Sequence, residues 1–100
     1  MERKLTWTHH ASNDIEAIVR YIARRDPKAA AEIGFGIYHR AQILLQHPES
    51  GTVLDELRTE GWRKLIYRRW KIVYKIADEL IIIGRVWPAA AGDADLERPL

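Results

Sequence analysis

The sequence predicts a single α+β domain in the order β-α-α-β-β-β, with two helices on one face of a mostly antiparallel sheet. Three observations predict it. Ile15, Ile18, Val19 and Ile22 recur at the spacing of one helical face. Asp26-Pro27 then ends that helix and opens a second one. From Gly61 to Trp87 the period changes to two, and apolar and basic residues alternate through three short strands.

The elements follow in order. Lys4 to Thr8 alternates around Leu5 and Trp7, as a short strand does. Thr8 can cap the first helix by accepting a hydrogen bond from an orphan backbone N–H. Asp26 suits the N-cap of the second helix, and Pro27 its first position, where a missing N–H costs nothing. Ala30, Ile33, Ile37, Ala41, Leu44 and Leu45 form that helix's apolar stripe, and His47-Pro48 ends it. Ala29, Ala30, Ala31, Gly34 and Ala41 are small, so the two helices can lie close as an antiparallel hairpin. Pro48-Glu49-Ser50-Gly51 is turn chemistry. Thr52 to Glu60 reads as loop, with room for a brief strand.

Trp70, Ile72, Tyr74 and Ile76 share one strand face, which is expected to be buried. Lys71, Val73 and Lys75 share the other. Asp78-Glu79 is a two-residue turn. In the returning strand Ile82, Gly84 and Val86 alternate with Ile81, Ile83, Arg85 and Trp87. Two helices on one side leave the second sheet face open, so Lys71, Lys75, Arg85 and Trp87 are expected to line it or its rim. The domain is expected to span residues 1–88, with 89–100 a loose acidic tail.

Composition narrows the function classes. The chain of 100 residues has a net charge of +2 and no cysteine, which excludes disulfides and thiol chemistry. No apolar run approaches the ~20 residues needed to span a bilayer. The basic start has no apolar segment behind it, so no secretory signal is expected and the cytoplasm is the expected compartment. His9-His10 diverge, and His39 and His47 stand too far apart on one helix to share an ion, so no metal is expected. Gly34-Phe35-Gly36 lies within a helix and is no phosphate loop. No cofactor motif occurs.

Charge is unevenly spread. Gly61 to Trp87 holds Arg63, Lys64, Arg68, Arg69, Lys71, Lys75 and Arg85 against Asp78 and Glu79. That segment is strongly positive, and the remainder is net acidic. A basic sheet points to an anionic or acidic partner. Tyr21, Phe35 and Tyr38 add apolar helix surface beside the main stripes, which reads first as a wide core stripe and second as an interface.

Several stretches in this order resemble the RelE/ParE superfamily of bacterial type II toxins. They are Trp7 with Ala11, Asp14-Ile15 and Ile18; Tyr21-Ile22 with Asp26-Pro27 and Ala30; Leu45, Pro48 and Gly51; Gly61-Trp62-Arg63; Trp70-Lys71-Ile72-Val73-Tyr74; and Ile81-Ile82-Ile83-Gly84-Arg85-Val86. The resemblance covers Leu5 to Trp87 and favours the ParE-like branch. It implies a toxin that inhibits DNA gyrase by binding. Arg63, Lys71, Arg85 and Trp87, with Arg68 and Arg69, are the implied target contacts. It also implies a cognate antitoxin with a ribbon-helix-helix domain and an acidic, amphipathic tail that covers Ile18, Tyr21, Ile22, Phe35 and Tyr38. The alternative is a RelE-like ribosome-dependent messenger-RNA nuclease, which cleaves without metal and needs side chains for acid–base work. The segment after the last strand, Trp87-Pro88-Ala89-Ala90-Ala91-Gly92-Asp93, carries no His, Lys, Arg or Tyr, which argues against it. A third reading is a non-toxic member that acts only in a binding complex.

Overall fold

A computed structural model describes residues 3–54 and 60–91. The elements are β1 (Lys4–Trp7), α1 (His9–Ala23), α2 (Pro27–Ala41), β2 (Thr52–Val53), β3 (Trp62–Tyr67), β4 (Trp70–Ala77) and β5 (Leu80–Pro88). A 3-10 turn, Gln42–Leu45, extends α2. The sheet order is β1-β5-β4-β3-β2, with β1 parallel to β5 and every other pair antiparallel.

Both caps form as their chemistry dictates. Thr8 Oγ1 accepts from the Ala11 N–H at 3.1 Å and donates to the Gly84 carbonyl at 2.8 Å, so it also ties α1 to β5. Asp26 accepts from the Ala29 N–H, and Pro27 opens α2. The helices lie on one face of the sheet. Ile15, Ile18, Ile33, Ile37 and Leu44 meet Leu65, Ile72, Tyr74, Ile81, Ile83 and Val86 in the main core. Leu45 ends the predicted stripe but stays exposed, because the 3-10 turn rotates it off the buried face.

The second face of the sheet is not simply open. Leu54, Trp62 and Val73, with Ile82 against them, form a small second core there. The short crossing at β2 brings Leu54 over the sheet. A solvated face is what a two-layer reading of β4 and β5 predicts, and it misses this cover.

A bulge resolves the ambiguous strand. Val73 pairs with Arg85 but Tyr74 pairs with Ile83, so Gly84 is an extra residue in β5. Before it Ile81 and Ile83 face the helices; after it Val86 does. Arg85 and Trp87 therefore fall on the outer face with Lys71, as expected, although strict alternation would have put them with Ile81 and Ile83.

Candidate functional site

The cations predicted to form one surface occupy three places. Arg63 pairs across from Tyr74, a core residue, so it lies on the helix side of the sheet and not with Lys71 and Arg85. Its guanidinium donates to the Gly51 carbonyl at 2.9 Å. Tyr74 joins it: the phenol donates to the Pro48 carbonyl at 2.7 Å and accepts from the Gly51 N–H at 2.9 Å. Arg63 and Tyr74 together clamp the 48–51 turn.

Burial pushes the Tyr74 phenol pKa above its ordinary value of 10.0. The Gly51 hydrogen bond and the Arg63 charge oppose the shift, and Glu49 adds to it. The folded state thus holds this proton more tightly than the unfolded chain. Its contribution to stability is intact below pH 10 and declines as pH rises beyond it. Tyr74→Phe is expected to cost about 1–3 kcal/mol at pH 7, because two backbone groups lose their partner. The difference between the two proteins should shrink above pH 10, as urea melts at pH 7 and at high pH would check.

The second place is the outer face. Lys71 is only 1 % exposed, a correction to its expected solvent position. Its Nζ donates to the Ala91 carbonyl at 2.7 Å. The chain after β5 is held there too: the Ala89 N–H donates to the Arg69 carbonyl at 2.7 Å, and Ala91 N–H to Pro88 at 3.1 Å. Ala89–Ala91, expected within a loose tail, is thus an anchored turn that covers Lys71. The remaining tail residues, 92–100, lie outside the described residues.

Arg85 turns around the end of the sheet. Its Nε and Nη2 donate to Asp14 of α1 at 2.8 and 3.0 Å, and the Val86 N–H donates to the same carboxylate at 2.9 Å. The guanidinium carbon stands 4.5 Å from the centre of the Trp87 ring, a cation–π contact. The Trp87 indole N–H is buried with no acceptor among the described residues. Lys75 stands over the Trp62 ring, 5.6 Å from its centre. The outer face is therefore cationic and aromatic, but much of its charge is already used to hold the fold.

The third place is the β3–β4 turn. Arg68 and Arg69 are exposed there, far from Arg63. Arg68 takes a left-handed φ of 53°. Asp14, the partner of Arg85, was not among the expected contact residues. A lone carboxylate on a helix gives no signal of its strand partner.

Of the five residues assigned to the partner interface, Tyr21, Phe35 and Tyr38 are 70 %, 76 % and 40 % exposed. Ile22 is half-buried. Ile18 is 8 % exposed and belongs to the core, a correction: it faces β5 rather than solvent. Phe35 and Tyr38 flank an apolar groove of about 230 Å³ between the helices, floored by Ile15, Val19, Ala30 and Gly34. Among the described residues no group of His, Cys, Asp or Glu could hold a metal ion, and no helix is long and apolar enough to cross a membrane.

A two-helix layer over a five-stranded sheet, with cations on its outer face, defines the toxin fold of type II toxin–antitoxin pairs. Residues 5–91 match the family described as the ParE toxin of the type II toxin–antitoxin system parDE, and the chain belongs to that family. It is 33 % identical over 88 residues to Toxin RelE2 of Caulobacter vibrioides, covering 87 % of this chain and 96 % of that one. Its fold is similar to a chromosomal ParDE system from P. aeruginosa, with a TM-score of 0.76 and 22 % identity over 87 % of this chain and 96 % of that one. It is also similar to the RelBE2 toxin–antitoxin complex of Mycobacterium tuberculosis, with a TM-score of 0.57 and 23 % identity over 88 % and 99 % of the two chains.

Proposed function

We propose that this chain arrests growth by binding DNA gyrase and that a cognate antitoxin holds it inactive. The match of residues 5–91 to the ParE toxin family carries this reading. The chemistry of the outer face supports it. The strand residues there include Lys4, Lys64, Lys71, Lys75 and Arg85, with the aromatic rings of Trp62 and Trp87. Among the described strand residues of that face there is no His, Tyr, Asp or Glu, so any acid–base work there would fall to its lysines. A cationic, aromatic surface suits binding to an acidic protein surface or to DNA held by an enzyme. The antitoxin is proposed to lie along the helices over Tyr21, Phe35 and Tyr38, as an amphipathic segment fills a groove.

Supercoiling by purified gyrase, with and without the chain, tests this. Inhibition is expected, and Lys64→Glu with Lys75→Glu should weaken it at least roughly tenfold while the circular dichroism spectrum stays unchanged. Folded protein that arrests growth but leaves supercoiling intact would overturn the gyrase target. The 33 % identity to a relative named RelE2 favours the second reading in that case, ribosome-dependent cleavage of messenger RNA, which mapping of transcript ends would reveal. Normal growth on overproduction would leave only a binding role.

A further inference from the structure

The basic residues of the outer face climb a ladder. Val73 of β4 stands opposite Lys64 on one side and Arg85 on the other. Two residues on comes Lys75, between Trp62 and Ile82. Two further, Ala77 pairs with Leu80, and Leu80 with Lys4. Successive rungs of this face thus carry Lys64 with Arg85, then Lys75, then Lys4, about 7 Å apart along the strand. Leu54 closes over Val73, but Lys64 and Lys75 stay partly exposed and Lys4 is exposed.

Ala91 sits at the foot of this ladder. The Lys71 Nζ holds its carbonyl at 2.7 Å, and Lys71 lies one rung before Val73 on the same face. The residues that follow are Gly92-Asp93-Ala94-Asp95-Leu96-Glu97, with a carboxylate at every second position. An extended chain puts such residues on one side, at the spacing of the rungs. Counted from Ala91 and from Lys71, the two series coincide. Asp93 and the Lys64 rung are both two residues on, Asp95 and Lys75 four, and Glu97 and the Lys4 rung six.

We propose that residues 93–97 lie extended along the outer face of their own sheet, with Asp93, Asp95 and Glu97 meeting Lys64, Lys75 and Lys4, and so shield the target-binding surface until a target displaces them. Charge complementarity and the matched period fix the occupant, because the face is cationic and an acidic segment of the same period is already tethered at its foot. Tethering gives that segment a local concentration of about a millimolar. Its exposed ion pairs are individually weak, so the shield is partial, yields to salt, and gives way to a tighter anionic partner. This rests on the reading that the outer face is the contact surface; the identity of the target does not enter it.

The test uses the full chain. It has no cysteine, so Arg98→Cys supplies a single thiol for a nitroxide spin label. Seven residues beyond Ala91, the label can reach roughly 23 Å, to the helices as well as along the sheet. Paramagnetic broadening is expected at the backbone amides of β1 and of Lys75 to Ala77, with Tyr21 and Phe35 spared. The pattern should collapse in Asp93→Asn with Asp95→Asn and Glu97→Gln, and in about 0.5 M salt. Unlabelled, this triple variant should bind a twelve-nucleotide oligothymidylate at least roughly threefold more tightly than the native chain, read from the Lys64 and Lys75 amide shifts. A control, Glu16→Gln with Glu32→Gln and Glu49→Gln, removes the same charge from exposed positions elsewhere and should gain less. Equal broadening of helices and sheet, a pattern unmoved by the triple variant, or an oligothymidylate affinity no higher than the control's would each overturn the proposal. Broadening that fades on dilution would assign the segment to a second copy of the chain and equally overturn it. Supercoiling is read in no arm, so failure here and failure of the gyrase reading are separable.

Discussion

Asp14→Ala is expected to lower the unfolding free energy by about 3–5 kcal/mol. The reason lies at the end of the sheet. β1 pairs with β5 only as far as Trp7 and Ile83, yet β5 runs on to Pro88. Beyond that point the Val86 N–H has no strand to receive it, and Asp14 on α1 supplies the acceptor. The same carboxylate holds Arg85 through two nitrogens, and the two side chains are only 15 % and 11 % exposed. Removing it takes two hydrogen bonds from a largely buried guanidinium and leaves the Val86 N–H without its acceptor, which is the costly way to break such a pair. A double variant, Asp14→Ala with Arg85→Met, should recover part of the loss, because it removes the buried charge that Asp14 balanced as well. Urea denaturation of the three proteins measures this. A loss below about 1 kcal/mol in the single variant would show the pair to be a surface ornament. It follows that Arg85→Ala is an unsuitable probe of target contact, since it unsettles the same junction.

Gly51→Ala is expected to be nearly as damaging, lowering the unfolding free energy by roughly 3 kcal/mol and Tm by roughly 10 °C or more. A Cβ there would stand 2.6 Å from the Lys64 carbonyl oxygen and 2.6 Å from the Tyr74 ring. Neither can yield. Lys64 is held in the β2–β3 ladder, and Tyr74 is fully buried with its hydroxyl fixed at both ends. Gly36→Ala is the informative comparison. Its Cβ would also collide, but with the phenol end of Tyr67, in a half-buried side chain that can swing away. Calorimetry on the two variants should place Gly51→Ala well below Gly36→Ala. Equal Tm values would mean that the 48–51 turn shifts freely, and that the Arg63–Tyr74 clamp does not fix it.

These two sites mark where reading the chain succeeded and where it stopped. Thr8, Asp26 and Pro27 announce their helices because capping is decided within three or four residues. The isoleucine stripe of α1 and the alternation in β4 announce their buried faces because each period is a local property of the backbone. Arg63 could not be placed this way. Its side of the sheet depends on which residue of β4 lies opposite, and that pairing is set across a loop. Gly84 likewise looks like one more residue in an apolar run. Only its mismatch against Val73 and Tyr74 makes it a bulge and sends Arg85 and Trp87 to the outer face.

For the candidate site the division is sharper. Tyr21, Phe35 and Tyr38 were legible as surplus apolar surface on helices that a thin sheet cannot cover. Ile18 was not separable from them, because one turn of helix carries it from the surface to the strand beneath. Lys71 was legible as a cation on the outer face, but its burial depends on Ala91 folding back over it.

The sequence by itself determined the order of elements, both helix starts, the main apolar faces and the positive character of the sheet. Each of these follows from backbone periodicity, capping or composition, which act over a few residues. Only the tertiary structure decided which cations are spent inside the fold and which remain to meet a partner. That depends on partners brought together across the chain: Asp14 against Arg85, Gly51 against Arg63, and Ala91 against Lys71. A charge has no fixed role until the fold sets its neighbours and its distance from water.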